Sequence, residues 1–281
     1  MSLPVRTTSR VVVAVDRGDG QDYVLELARE IVPAAVFEML GLFVENTRLL
    51  EHAKSRFARE IMLSGRERPL DVRSLERQLR AEATQARTEF EAAAARIGVP
   101  HAFQVARGDF ATELLRRATE AEALIVSLTE EVNLIGHGLD AALRELIAAP
   151  LPLLLIARRG WLRGESIAMV VGHDDAPEAM LEAAARIARL SHSPIVMLAT
   201  GASAAERERT TERTLEGLAE RGVKGVETVL LNELTAANVA AAARAWRARL
   251  VVLPSAGPTG LAADLLGRLS SALLLVGSKP R

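Results

Sequence analysis

This 281-residue chain is expected to be α/β, with two tandem doubly wound domains, each a five-stranded, mainly parallel sheet flanked by helices. Three observations lead there. Short unbroken runs rich in Val, Ile and Leu alternate with helical patterns, as strands buried on both faces of a parallel sheet require. A strand-then-helix series that starts at residues 10–16 starts again at 167–172, so one unit is written twice. Between the copies, residues 158–164 are short and polar apart from Trp161 and Leu162, the composition of a linker, which divides the chain into domains 1–159 and 165–281.

In the first copy, strands are expected at 11–16, 36–45, 101–107, 123–128 and 153–157, and helices at 22–32, 71–97, 111–120 and 139–148. The longest helix shows its buried face plainly: Leu75, Leu79, Ala83, Ala86, Phe90, Ala94 and Ile97 recur at three- and four-residue spacing among Arg and Glu. Gly98 followed by Pro100 is its stop signal. Asp109 stands where the next helix needs an N-cap, its carboxylate placed to accept from the amides of Ala111 or Thr112. The second copy repeats the order, with strands at 167–171, 195–198, 226–231, 250–253 and 272–276 and helices at 176–190, 204–221, 236–247 and 261–268. A linker this short holds the domains together, with Trp161 as an interface anchor. Residues 47–69, where charged side chains are interspersed with Leu49, Leu50, Phe57, Ile61 and Met62, are expected to form an amphipathic helix and loop, a solvated connection in preference to a lid or partner-binding arm.

Composition excludes several classes of function. Lys plus Arg number 35 against 36 acids, so no net field attracts nucleic acid or an anionic membrane. Aromatics are 3% of residues, leaving few platforms on which bases could stack. The longest apolar runs fall far below the ~20 residues that cross a bilayer, and residues 1–10 lack a signal-peptide core, so a cytoplasmic protein is expected. Without cysteine there is no disulfide, thiolate nucleophile or Cys-ligated metal. The five histidines show no metal spacing, and neither a Gly-x-Ser-x-Gly elbow nor a P-loop is present, so no metal and no catalytic residue is assigned. His173-Asp174-Asp175 ends a strand where ligands of open sheets gather, yet Asp174 or Asp175 as N-cap of the next helix accounts for the cluster.

The Val-rich first strand ending in Asp16, the helix start at Gly108-Asp109-Phe110-Ala111, the fourth strand Ala123-Leu124-Ile125-Val126-Ser127 and the entry to the last strand at Ala149-Pro150-Leu151-Pro152 together resemble the universal stress protein family. The second copy matches through 248–255 and 273–276. The resemblance implies an adenine nucleotide alpha hydrolase-like fold, paired domains, and a cytoplasmic role in stress survival and regulation. Part of that family binds ATP or AMP, with the Asp after strand one facing adenosine and a glycine-rich loop after strand four holding phosphates. Carried over, the first-domain site comprises Asp16, Val44, Ser127, Thr129, Gly136, His137 and Gly138, and the second offers Gly257 and Gly260.

Neither phosphate loop is complete. In the first copy Leu128 follows Ser127, and Glu130, Glu131 and Asp140 bring three carboxylates to the place of a polyphosphate, which they repel unless a metal ion intervenes. In the second, Gly172 or His173 replaces the strand-one Asp, and Gly257 and Gly260 flank Pro258 as a tight turn would have them. The expected function is a stress-response regulator with weak or degenerate adenine nucleotide binding; the alternative is an ATP- or AMP-binding regulator using the first domain's strand ends. Expected partners are unidentified proteins and the chain's own second domain, with a homodimer as a further assembly. Nucleic acid and membrane are not among them.

Overall fold

A computed structural model describes residues 9–15, 21–32, 37–46, 51, 54, 59–61, 67–69, 71–128, 138–158, 164–172, 176–257 and 260–277. The first half runs β1 (Ser9–Ala14), α1 (Gln21–Ile31), β2 (Phe37–Asn46), β3 (Arg59–Ile61), β4 (Glu67–Pro69), α2 (Val72–Ile97), β5 (His101–Gly108), α3 (Phe110–Ala118), β6 (Ala123–Leu128), α4 (Gly138–Ala148) and β7 (Leu153–Arg158). The second runs β8 (Ser166–Val171), α5 (Glu178–Ser191), β9 (Ile195–Ala199), α6 (Ala204–Glu220), β10 (Glu227–Leu230), α7 (Ala236–Ala245), β11 (Ala248–Pro254), α8 (Leu261–Leu266) and β12 (Ala272–Val276). Every strand and helix placed in the two repeats is present, most within two residues of its expected ends.

The two five-stranded sheets are one. The strand order is β10-β9-β8-β11-β12-β7-β6-β1-β2-β5, ten strands in a single sheet. Within each half all neighbours are parallel, whereas β7 and β12 meet antiparallel, Leu155 opposite Leu274 with Leu154–Leu275 and Ile156–Leu273 on either side. The halves therefore point in opposite directions, and the carboxyl ends of their strands emerge at opposite edges of the sheet.

Helices cover both faces. α1, α2, α5 and α6 pack on one, over a core that includes Val11, Val13, Leu155, Met169 and Leu274; α3, α4, α7 and α8 pack on the other, over Val12, Leu124, Ile156, Val170 and Leu273. Each core runs across both halves. This double cover is why the strands are apolar without alternation.

The long helix behaves as its periodicity requires. Leu79, Ala83, Ala86, Phe90 and Ala94 are buried, joined by Ala93, while Leu75 and Ile97 are half-buried. Asp71 caps its start, accepting from the Arg73 amide, and Gly98 in the left-handed region (φ 75°) ends it, returning its N–H to the Ala94 and Ala95 carbonyls. Asp109 caps α3 through the Thr112 amide at 3.2 Å, one of the two partners expected.

One expectation is corrected and one is extended. Within 47–69, where an amphipathic helix and loop are expected, Glu51 is helical, and an antiparallel hairpin, Arg59–Ile61 against Glu67–Pro69, follows it. These three-residue strands carry Arg and Glu without alternation, so no period of two announces them. The N-cap of α5 is Pro177, with no side-chain cap, rather than Asp174 or Asp175. Those acids, His173 and Trp161 lie outside the described residues.

Gly41 shows how closely α2 approaches the sheet. A Cβ there would stand 2.8 Å from the fully buried Phe90 ring and 3.0 Å from Phe103. The two rings lie tilted at 49°, centroids 6.0 Å apart, over the strand. Gly41→Ala is expected to lower stability by about 1–3 kcal/mol through this overpacking, measured by urea unfolding against the parent.

Candidate functional site

In both halves the crossovers reverse direction beside the first strand, between β1 and β6 and between β8 and β11. Open parallel sheets hold ligands at the carboxyl ends of the strands flanking such a reversal. Ala14 pairs with Leu42 of β2 and Val126 of β6. Val44 and Ser127 therefore stand just beyond the end of β1, on either side of it. Val15 extends the ladder, its amide donating to the Leu42 carbonyl at 2.9 Å. Ser127 is half-buried and opposite Ala157; Val44, also half-buried, lies against the core on the α3 and α4 side. Gly138 begins α4. The structure thus brings Val44 and Ser127 to one edge, whereas Asp16, Thr129, Gly136 and His137 lie outside the described residues.

The same edge holds a buried acid that the sequence reading passed over. Glu45, one residue after Val44 and on the opposite face, is 4% exposed and ion-paired with Arg107 at the end of β5. The hydrogen bond and charge of Glu45 raise the Arg107 pKa above its ordinary value, against a smaller opposing effect of burial, and Glu76 on α2 adds to the rise. A signal existed. Phe43 and Glu45 share a strand face, and Phe43 belongs to the core, so the period of two sends the carboxylate inward.

α3 begins beside this pair. The Asp109 carboxylate is engaged by the Thr112 amide and hydroxyl, each at 3.2 Å. Glu113, in its first turn, receives Arg117 at 2.6 Å and Arg116 at 3.0 Å. The Arg117 hydrogen bond first, then that of Arg116, holds the Glu113 carboxyl below the usual carboxylate range.

The second half lacks these groups. Val171, like Val15, ends its strand on the α1 and α5 face, so parity places Gly172 rather than His173 at the Asp16 position. No carboxylate stands there. Gly257 and Gly260 border a cleft of about 350 Å³ between the end of β11 and α4, lined by Pro254, Ser255 and Leu261 on one side and Arg144 and Ile147 on the other. Gly257 donates its amide to the Pro254 carbonyl at 3.1 Å, and Ser255 donates to Val276 at 2.8 Å, so the turn itself uses these donors. Gly260 adopts φ 90°, a conformation glycine permits, and precedes a helix of six residues. Among the described residues no group of three His, Asp or Glu side chains is placed to hold a metal ion, and no helix is long and apolar enough to cross a membrane.

Paired Rossmann-like units, joined through their last strands, define the class to which this architecture belongs. No protein-family model and no curated protein matches the chain. Solved structures do. A universal stress protein from Archaeoglobus fulgidus superposes with TM-score 0.64 at 12% identity, covering 95% of this chain and 96% of that one. A Pseudomonas aeruginosa protein provisionally classed as a universal stress protein gives 0.57 at 16%, covering 96% and 94%. The cytoplasmic domain of a prokaryotic cation chloride cotransporter gives 0.52 at 14%, covering 96% of each chain. The chain has the universal stress protein fold over nearly its whole length.

The lowered Glu113 pKa carries a sign. A carboxyl with a depressed folded-state pKa stabilises the fold above its unfolded pKa, and that contribution disappears as pH falls through the folded value. Glu113→Gln is therefore expected to cost up to about 1 kcal/mol near pH 7, in the range of solvent-screened pairs, and the difference from the parent should vanish at strongly acidic pH. Urea midpoints measured across pH check this.

Proposed function

We propose that the chain is a cytoplasmic stress-response regulator of the universal stress protein type, built of two repeat units spanning 1–159 and 165–281, whose adenine nucleotide binding is weak and confined to the first unit. A similar fold forms the cytoplasmic domain of a cation chloride cotransporter, so function follows from the site rather than from the fold. The carrying observation is the asymmetry between the two reversal points. In the second unit the position after β8 is glycine and the Gly257 amide closes a turn. In the first, Val44 and Ser127 flank the end of β1, where the chain continues into Asp16.

Three acids near the would-be phosphate position, Glu130, Glu131 and Asp140, disfavour a triphosphate. A monophosphate brings less charge to the same place. Asp16, Val44 and Ser127 would hold adenosine, with Thr129, Gly136, His137 and Gly138 beside the phosphate, and no residue is given a catalytic role.

Calorimetric titration with ATP and AMP, with and without magnesium, tests this. The expected result is a dissociation constant of order 1 mM, with AMP binding at least as tightly as ATP when magnesium is absent. Asp16→Ala should abolish the heat and leave the unfolding midpoint unchanged. Micromolar ATP affinity would instead establish a nucleotide-gated regulator. Binding that survives Asp16→Ala would show that the site is elsewhere, and no heat at all would leave a protein that works through its surfaces alone.

A further inference from the structure

The two halves are related by a pseudo-twofold axis through the pairing of Leu155 with Leu274, and the charges beside that axis are reversed between them. Val11 pairs with Ala123, and its counterpart Ile167 pairs with Leu250; the residues one position earlier, Glu122 and Arg249, therefore correspond. The sequence separation between Val11 and Ile167 also relates Glu30 on α1 to Arg186 on α5. The first half thus has glutamate at both positions, and the second has arginine at both.

These side chains lie at the junction. Arg249, at a register shift in β11, is ion-paired across the seam with Glu30, the two side chains 12% and 22% exposed. Arg186 reaches over the same seam, donating to the Ile31 carbonyl at 2.8 Å with Glu182 at 3.5 Å. The half-buried Glu122 occupies the place that Arg249 has in the other half.

We propose that this reversal makes the last-strand interface heterotypic: each half is built to accept the complementary half of this chain and to reject a copy of itself. If two first halves met about the same axis, Glu30 would face the Glu122 of the other copy. Two second halves would set Arg186 against Arg249. Both arrangements place like charges in a partly desolvated seam, where repulsion is screened less than at a surface. Specificity here combines an attractive pair with a repulsive alternative, and it stands independently of any nucleotide.

The test uses the full chain and three variants: Arg249→Met, Arg249→Glu, and Arg249→Glu with Glu30→Arg. At about 0.02 M ionic strength, Arg249→Glu should unfold at a urea concentration roughly 0.5 M below Arg249→Met, because it adds repulsion where Met only removes attraction. The gap should close at about 0.5 M salt. Adding Glu30→Arg should return the midpoint to that of Arg249→Met or above. The proposal is overturned if Arg249→Glu is no less stable than Arg249→Met at low salt, or if Glu30→Arg fails to rescue it.

Discussion

The antiparallel pairing of β7 with β12 is the constraint on which the rest of the molecule depends. Each is the last strand of its half and each is aliphatic, so either one left unpaired would expose a hydrophobic edge with free backbone donors and acceptors. Joined, they turn two five-stranded sheets into one, place Leu155, Ile156, Leu273 and Leu274 at 1% exposure or less, and let both helical layers continue across the junction. The pairing also determines where the two sets of strand ends lie. Because the halves point in opposite directions, their two reversal points lie at opposite edges of the sheet, and α4 borders the cleft at the end of β11.

The duplication lets the two copies diverge. The first half retains polar groups at its reversal point and adds the buried Glu45 nearby, paired with the exposed Arg107. The second fills the corresponding edge with backbone: a glycine after β8, and a turn whose amides bond to Pro254 and Val276. A fold that requires both copies for its core need not keep the same loops in both, since the seam stabilises each half whatever its loops contain. Divergence in the loops therefore costs little stability, and it is there that the copies differ most.

Much of the fold was legible because apolar runs and helix periodicity are local. The Leu75 to Ile97 stripe, the Gly98 stop and the Asp109 cap each depend on residues within a turn or two, and each is found in the structure. What the sequence did not disclose is non-local. Nothing in Leu153–Arg158 or Ala272–Val276 states that these strands pair with one another, since a buried central strand and a last strand awaiting a partner have the same composition. The hairpin at Arg59–Ile61 and Glu67–Pro69 is too short for a period to register. At the candidate site, the resemblance of their strands pointed to Val44 and Ser127, which lie at the strand ends beside β1, whereas the burial of Glu45 was legible only through its face parity with Phe43.

The most direct measurement of this account is native-state hydrogen exchange at the seam. If the ten-stranded sheet forms as described, the amides of residues 153–156 and 273–276 should exchange as slowly as those of β1 and β8, opening only with the global unfolding of the chain. Exchange as fast as that of the edge strands β5 and β10 would mean that the halves are separate sheets, and would contradict the account.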